Sequence, residues 1–336
     1  MNVPSNSPSD DPIQVALSKF LPEFPEGALK KEILPLSKLL HRVLAKEIKT
    51  PIDSPPYSRS IIEGYLINSK ESETATTDHP VSFISKGDIP LGASKIKSIP
   101  PGTGMAVSTG SFIPPGNYSV IRSFDYEPRN GKFFIKRAFK PGENIEIQGC
   151  DIKKGTVLFP KGKCLAPSDI GMLASLGILK VQVSQKPRVA IFSSGNEVIS
   201  PTQKFRLGMI WDCNSYALSA AVEELGGIPV FKGIVKDDFN FFKKELKKAL
   251  KTSDIILISG GTAVGGRDFV SDLINSLGKP GTLINGVPMR SGKPMVNGVV
   301  GKIPIVCVAG HPPEAMRGFH LFGKPAIFRL LGRNVD

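Results

Sequence analysis

The residues whose types and spacing could do chemistry sit in loops. The segment SGGTAVGGRD (Ser259–Asp268) sets Gly260, Gly261 and Gly265, with the Thr262 hydroxyl among them, between an apolar run and a helical pattern. Glycines let backbone N–H groups approach a ligand, and a following helix turns its positive N-terminus toward an anion. The segment has neither the GK[ST] of a P-loop nor a G-x-G-x-x-G fingerprint. It fits equally a glycine-rich turn whose Asp268 caps the helix. Similar loops flank it. SSGNEV (193–198) supplies Ser194, Gly195 and Glu197, VKDDF (235–239) supplies Asp237 and Asp238, and AGHPP (309–313) supplies Gly310, His311 and Pro312. MRSGKP (289–294) adds Arg290, Gly292, Lys293 and Pro294, with two cations suited to a phosphate. One of the paired aspartates is read as the N-cap of the next helix, which leaves the other free.

Each loop alone is an ordinary turn. Together, at one edge of a sheet, they would form a pocket for an anionic, phosphorylated ligand. Glu197, Asp237 and Asp268 would repel one another there unless a cation or a solvated substrate lay between them. No Ser-His-Asp or Cys-His arrangement is evident. His311 fits a structural hydrogen bonder as well as a ligand contact.

The elements that would position these loops alternate. From residue 187 onward, strand patterns (RVAIF, PVFKGIV, DIILIS, IPIVCVA) are interleaved with helical ones, including residues 238–252 and a final stretch from His311 to Gly332. That alternation implies a mostly parallel sheet covered on both faces, with ligands beyond the carboxyl ends of its strands. Residues 50–140 instead show short strands (AVST, YSVIRSF, KFFIKRAF) between Gly/Pro turns, a β-rich pattern. Residues 13–48 carry helical periodicity, clearest in LSKLLHRVLAKEI, and residues 1–12 read as disordered.

The 336 residues are too many for one ordinary domain, and the 40% hydrophobic and 22% charged balance is globular. Four scattered cysteines without a CxxC pair argue for a reducing, cytoplasmic setting. The N-terminus lacks the regions of a signal peptide, and apolar runs such as Ile255–Ile258 are strand-sized, so no membrane role is expected. The net charge of +13 suits an anionic partner. Lys243, Lys244, Lys247, Lys248 and Lys251 lie opposite Phe239, Phe242, Leu246 and Leu250 and read as a solvated helix face. No aromatic-interleaved basic patch points to nucleic acid.

These loops, in this order, resemble the MoeA/gephyrin E-domain family, whose members insert molybdate into adenylylated molybdopterin and release AMP. PPYSRSIIEGYL (55–66) is similar to that family's PPFDRSAMDGYA, STGSFIPPGNYSVI (108–121) to its TGA-x-LP-x-GADAVV, and GENIEIQGCDIKKG (142–155) to its GENVR-x-x-GEDI-x-x-G. PSDIGMLASLG, SSGNEV, GMIWDCNS, GIVKDD, SGGTAVGGRD, MRSGKP and AGHPPEA then follow in family order. The resemblance implies an α/β plus β-rich multidomain fold. Residues 1–27 would be a flexible N-terminus, 28–54 with 142–185 an elongated dimerisation domain, 55–141 an inserted β-rich domain, and 186–333 a three-layer α/β molybdopterin-binding domain.

The resemblance also implies a molybdopterin molybdenumtransferase acting as a homodimer, the family's usual arrangement, alongside other proteins of cofactor biosynthesis. It assigns catalytic positions to Glu63, Thr109, Asp151, Glu197, Asp237 and Asp268, with Asp237, Asp268 and Glu197 holding Mg²⁺. The first three would reach the site from a second subunit. Ser194, Gly195, Gly260, Gly261, Thr262, Gly265, Arg290, Gly292, Lys293, Pro294, Gly310 and Pro312 would hold the pterin phosphate. The chain departs from the family at Glu63 (aspartate there), Glu146 (arginine), Cys150 (glutamate), Thr262–Ala263 (Val-Ser), Ser291 (proline) and HPPEA (NPVSA), and it stops short of the family's small C-terminal β domain. A non-inserting paralogue that binds a related phosphorylated ligand, or a gephyrin-like scaffold, is the alternative reading.

Overall fold

The computed structural model describes residues 11–96, 98–261, 266–288 and 295–333. The chain divides into two compact units, Met1–Glu47 with Phe159–Asp336, and Ile48–Leu158. Residues 28–47 and 159–185 thus cluster with the α/β domain rather than with 48–54 and 142–158.

The first unit begins with α1 (Pro12–Phe20), whose N-cap Asp11 accepts from the Ile13 N–H at 2.9 Å. Phe20 and Phe24 are buried with Val189 and Leu257 in one apolar cluster. The flexible N-terminus expected over residues 1–27 is therefore corrected for residues 12–24, because two phenylalanines anchor them in a core. Next comes β1 (Lys31–Pro35). The helix expected in LSKLLHRVLAKEI is also corrected. Leu36–Lys38 makes a 3₁₀ turn, and His41 adopts φ 59°. The N–H groups of His41, Leu44 and Ala45 then donate to the carbonyls of Leu165, Lys163 and Gln182. Leu39, Val43 and Leu44 are buried by this pairing, so tertiary contacts override the helical spacing. Arg42 pins the segment, donating to Glu32 Oε1 at 2.5 Å and to the Ser184 carbonyl at 2.7 Å.

The second unit contains β2 (Ile48–Lys49), β3 (Arg59–Ser60), β4 (Gly64–Asn68), β5 (Val81–Ile89), β6 (Thr103–Val107), β7 (Tyr118–Arg122), β8 (Tyr126–Arg129), β9 (Lys132–Ile135), β10 (Ile145–Glu146) and most of β11 (Val157–Phe159). Six of them form a sheet in the order β7-β4-β6-β5-β9-β8. Phe133 is sandwiched in its core, with ring centroids 4.2 Å from Tyr65 and 5.5 Å from Phe83. Arg137 covers the Phe139 ring at 3.7 Å and donates to Glu143 at 2.7 Å. That hydrogen bond holds the Glu143 carboxyl below its ordinary value.

The first unit resumes with α2 (Pro167–Ser175) and β12 (Lys180–Ser184), the latter antiparallel to β1. Then follow β13 (Arg188–Ser194), β14 (Val198–Ile199), β15 (Ile210–Trp211), α3 (Asn214–Glu224), β16 (Ile228–Val235), α4 (Phe239–Ala249) and β17 (Ile255–Ser259). After them come α5 (Gly266–Leu277), β18 (Pro280–Asn285), β19 (Val296–Val300), β20 (Ile303–Val308), α6 (Pro312–Gly318), a π-helical turn and α7 (Lys324–Leu331). The sheet order is β16-β13-β17-β20-β19-β18, and β19 alone runs against the others. Successive strand residues serve opposite faces. Val189, Ile191, Ile255 and Leu257 pack toward α1, α3, α6 and α7. Ala190, Phe192, Ile256 and Ile258 pack toward α4 and α5. This is the three-layer, mostly parallel domain expected from the sequence. On α4, Phe242 and Leu246 are buried while Lys244, Lys247 and Lys248 face solvent. No described helix is long and apolar enough to cross a membrane.

Two measurements test these supports. Arg42→Met removes the donor to the buried Ser184 carbonyl, and urea unfolding should show a loss of about 1–3 kcal/mol. Glu143→Gln probes the ion pair. Because the folded carboxyl lies below its unfolded value of 4.5, the pair stabilises above that pH and its contribution fades as the pH falls through the lower folded value. The melting-temperature gap between wild type and Glu143→Gln should therefore be widest near neutral pH and close as the pH falls below 4.5.

Candidate functional site

The strand order around β13 sets the site. From β13 the chain crosses by α3 to β16 on one side, then by α4 to β17 on the other. The crevice beyond the carboxyl ends of β13 and β17 is a topological switch point. A cavity of about 840 Å³ opens there.

Its floor is backbone. Gly260 follows β17 with φ 100°, and a β-carbon there would stand 2.3 Å from the Ser194 carbonyl oxygen at the end of β13. The Gly260 N–H donates to Val308 at 3.1 Å, and Gly310 comes close enough that its own β-carbon would lie 3.6 Å from the Gly260 α-carbon. Beneath, the Cys307 thiol contacts the Gly260 carbonyl at 3.2 Å, and burial pushes its pKa up, so it is an inert neutral group. Gly195, Gly261 and Pro312 complete the part of the lining that the sequence anticipated.

Acids divide into two kinds. Asp212 is buried and accepts from the Ser193 hydroxyl at 2.9 Å, the Ser215 hydroxyl at 2.6 Å and the Ser215 N–H at 3.1 Å. It ties β13 to the start of α3. Glu197 and Asp237 line the cavity and are exposed. Asp237 Oδ1 accepts from Ser194 at 3.2 Å and Oδ2 from Asn196 at 3.3 Å, which orients the carboxylate and leaves lone pairs free. Asp238 is the helix cap, accepting from the Phe241 N–H at 2.8 Å. Asp268 lies in the first turn of α5, which starts at Gly266, so it is no N-cap; it is exposed and outside the cavity lining.

Asn214 was missed by the sequence reading. It donates to Ser259 at 2.8 Å and to the Gly310 carbonyl at 2.7 Å, bracing two loops. The D-x-N-S run before a helix was the available signal for both Asp212 and Asn214. Ile210, Trp211 and Phe269 also line the cavity without having been anticipated.

Glu63 and Thr109 belong to the second unit. Gly64 pairs with Val107, so Glu63, just before β4, and Thr109, just after β6, share one end of that sheet. Asp151 lies instead opposite Ser54, donating its N–H to that carbonyl at 3.1 Å. Among the described residues, one acid and cysteine trio brings its ligand atoms within 4.8 Å of one another, Glu146, Cys150 and Asp151. Glu146 is already bound by Arg59 at 2.5 Å. Glu197, Asp237 and Asp268 do not converge in that way. A hard cation is commonly held by one or two carboxylates with substrate phosphates and water, and the oxygen donors of Glu197 and Asp237 fit that need. Thr262, Gly265, Arg290, Gly292, Lys293 and Pro294 lie outside the described residues.

Comparison with known proteins matches residues 11–177 to the MoeA N-terminal region (domain I and II) and residues 190–329 to a probable molybdopterin binding domain. The molybdopterin molybdenumtransferase of Nostoc sp. is 32% identical over 304 residues, 90% of this chain and 70% of that protein. That of Bacillus subtilis is 31% identical over 88% of this chain and 70% of its own length. The solved molybdopterin biosynthesis MoeA protein of Pyrococcus horikoshii superimposes with a TM-score of 0.83 at 32% identity, covering 96% of this chain and 80% of that one.

The floor geometry makes a direct prediction. Gly260→Ala should destabilise by about 2–4 kcal/mol through the clash and the positive φ. Gly301→Ala, also at positive φ but with nothing within 4 Å of the new β-carbon, should cost about 1 kcal/mol. Equal losses in urea unfolding would remove the strand-end contact as the cause.

Proposed function

Because this chain belongs to the MoeA family of molybdopterin molybdenumtransferases, we propose that its α/β domain inserts molybdate into adenylylated molybdopterin in the cytoplasm and releases AMP. The observation that carries this reading is the cavity at the switch point, where a glycine floor meets two exposed carboxylates. Backbone at the floor suits phosphate oxygens, and the acids suit a reaction at a phosphoanhydride.

In this reading the phosphates lie over Gly260, Gly261 and Gly310, with Arg290 and Lys293 as the cationic clamp. Glu197 and Asp237 would hold Mg²⁺, which supplies charge neutralisation at the anhydride. Asp237, fixed by Ser194 and Asn196, orients a water toward the adenylyl phosphorus. The new P–O bond forms from that water, the anhydride P–O bond breaks, AMP departs and the pterin keeps its phosphate. Molybdate is then taken up as the second substrate. Asp268 assists from the first turn of α5. Glu63, Thr109 and Asp151 join the proposal through a homodimer, as the family resemblance assigns them.

Purified protein given adenylylated molybdopterin, molybdate and Mg²⁺ should release AMP. Asp237→Asn should lower that rate by about 10²-fold or more while keeping AMP affinity within a few-fold. A wild type that binds AMP yet releases none would establish the non-inserting reading instead. A mutant as fast as wild type would remove Asp237 from the chemistry.

A further inference from the structure

The cavity has an apolar lip that the reaction described above does not use. Trp211, the single tryptophan of the chain, lines it at 50% exposure, beside Ile210 at 53%. Tryptophan is ordinarily well buried, so a half-exposed indole at the mouth of a cavity invites a reason. Its position is firmly held. Ile199 pairs with Trp211 in the short β14–β15 ladder, and the flanking N–H groups of Ile210 and Asp212 donate to Glu197 and Ile199, both at 2.9 Å. Asp212, the next residue, is the buried anchor of α3. The indole itself donates Nε1–H to the Gln203 carbonyl at 3.1 Å, and Phe205 leans on it with ring centroids 5.3 Å apart at 57°.

An indole has one hydrogen-bond donor and no acceptor. Here that donor is already used by Gln203. What Trp211 can still offer is π surface, and it offers it at the rim of a cavity whose floor suits phosphate. We propose that Trp211, braced by Phe205, is the stacking ledge for the planar heteroaromatic ring of the phosphorylated ligand, and so sets which rings the cavity accepts. The inference rests on the anion-binding reading of the floor and deepens it. Two rings of one substrate share this chemistry, the purine of the adenylyl group and the pterin, and the test separates them.

Three probes suffice: AMP, 6-hydroxymethylpterin phosphate, and ribose 5-phosphate, which carries the phosphate without a ring. In calorimetric titrations of the wild type, at least one ring-bearing phosphate should bind about tenfold tighter than ribose 5-phosphate. That margin should shrink to about twofold or less in Trp211→Ala and survive in Trp211→Phe, with ribose 5-phosphate affinity unchanged in both. The favoured ring should also quench the single tryptophan's fluorescence, while ribose 5-phosphate should not. Which ring shows the margin identifies the occupant. Equal binding of all three probes, or a margin that persists in Trp211→Ala, would overturn the ledge and leave the phosphate floor standing. Failure of every probe to bind would overturn the floor and the ledge together.

Discussion

The ends of β13, β17 and β20 converge until the Ser194 carbonyl leaves no room for a β-carbon on Gly260. Everything that makes this edge a site follows from that approach. Parallel strands covered on both faces are apolar through their length, so only their ends can present polar backbone to a ligand. Ile256–Ser259 pair in register with Ile305–Val308, and Val189–Ser193 with Ile255–Ser259, which holds the three ends level. Rigid packing behind the floor removes the freedom that a glycine loop would otherwise have, and a prepaid geometry binds better than one ordered by the ligand.

The carboxylates around that floor do different work because their surroundings differ. Asp212 is buried and accepts three hydrogen bonds, which satisfies a charge that burial alone would penalise heavily. It is spent on structure. Asp237 is exposed, and its contacts to Ser194 and Asn196 are long, so its orientation is set while its lone pairs stay available. An excess of positive charge over the whole chain draws an anion from a distance. At contact range the acids would repel the same anion, which is why a cation belongs in the proposal. The long-range field thus draws an anion in, while Glu197 and Asp237 oppose it at contact range.

The α/β half was legible because burial on both faces of a parallel sheet leaves continuous apolar runs, and RVAIF, DIILIS and IPIVCVA became β13, β17 and β20. The paired Asp237 and Asp238 also divided as N-cap chemistry requires, Asp238 capping α4 and Asp237 turning to the cavity. LSKLLHRVLAKEI failed because its leucines satisfy a helical period and a β-bridged ledge alike, and the deciding partners, Lys163, Leu165 and Gln182, lie more than a hundred residues away. Asp212 was overlooked for a related reason. Its partner Ser193 lies on β13, 19 residues earlier, so only the D-x-N-S run announced Asp212 as the anchor of α3.

Departures from the family pattern carry information once the structure assigns them partners. Glu146, where the family has arginine, pairs with Arg59 across β3 and β10, so this charge reversal is absorbed by a local ion pair. His311, in place of asparagine, stands at the N-cap of α6 while lining the cavity. Glu314, in place of serine, is buried with Oε2 unpartnered, which is a costly state for a carboxylate. By contrast Gly260, in the floor, holds the residue that its surroundings require, since a β-carbon there would stand 2.3 Å from the Ser194 carbonyl oxygen. Glu146 sits where a neighbouring side chain compensates for the change, and Gly260 sits where backbone meets backbone and no side chain can.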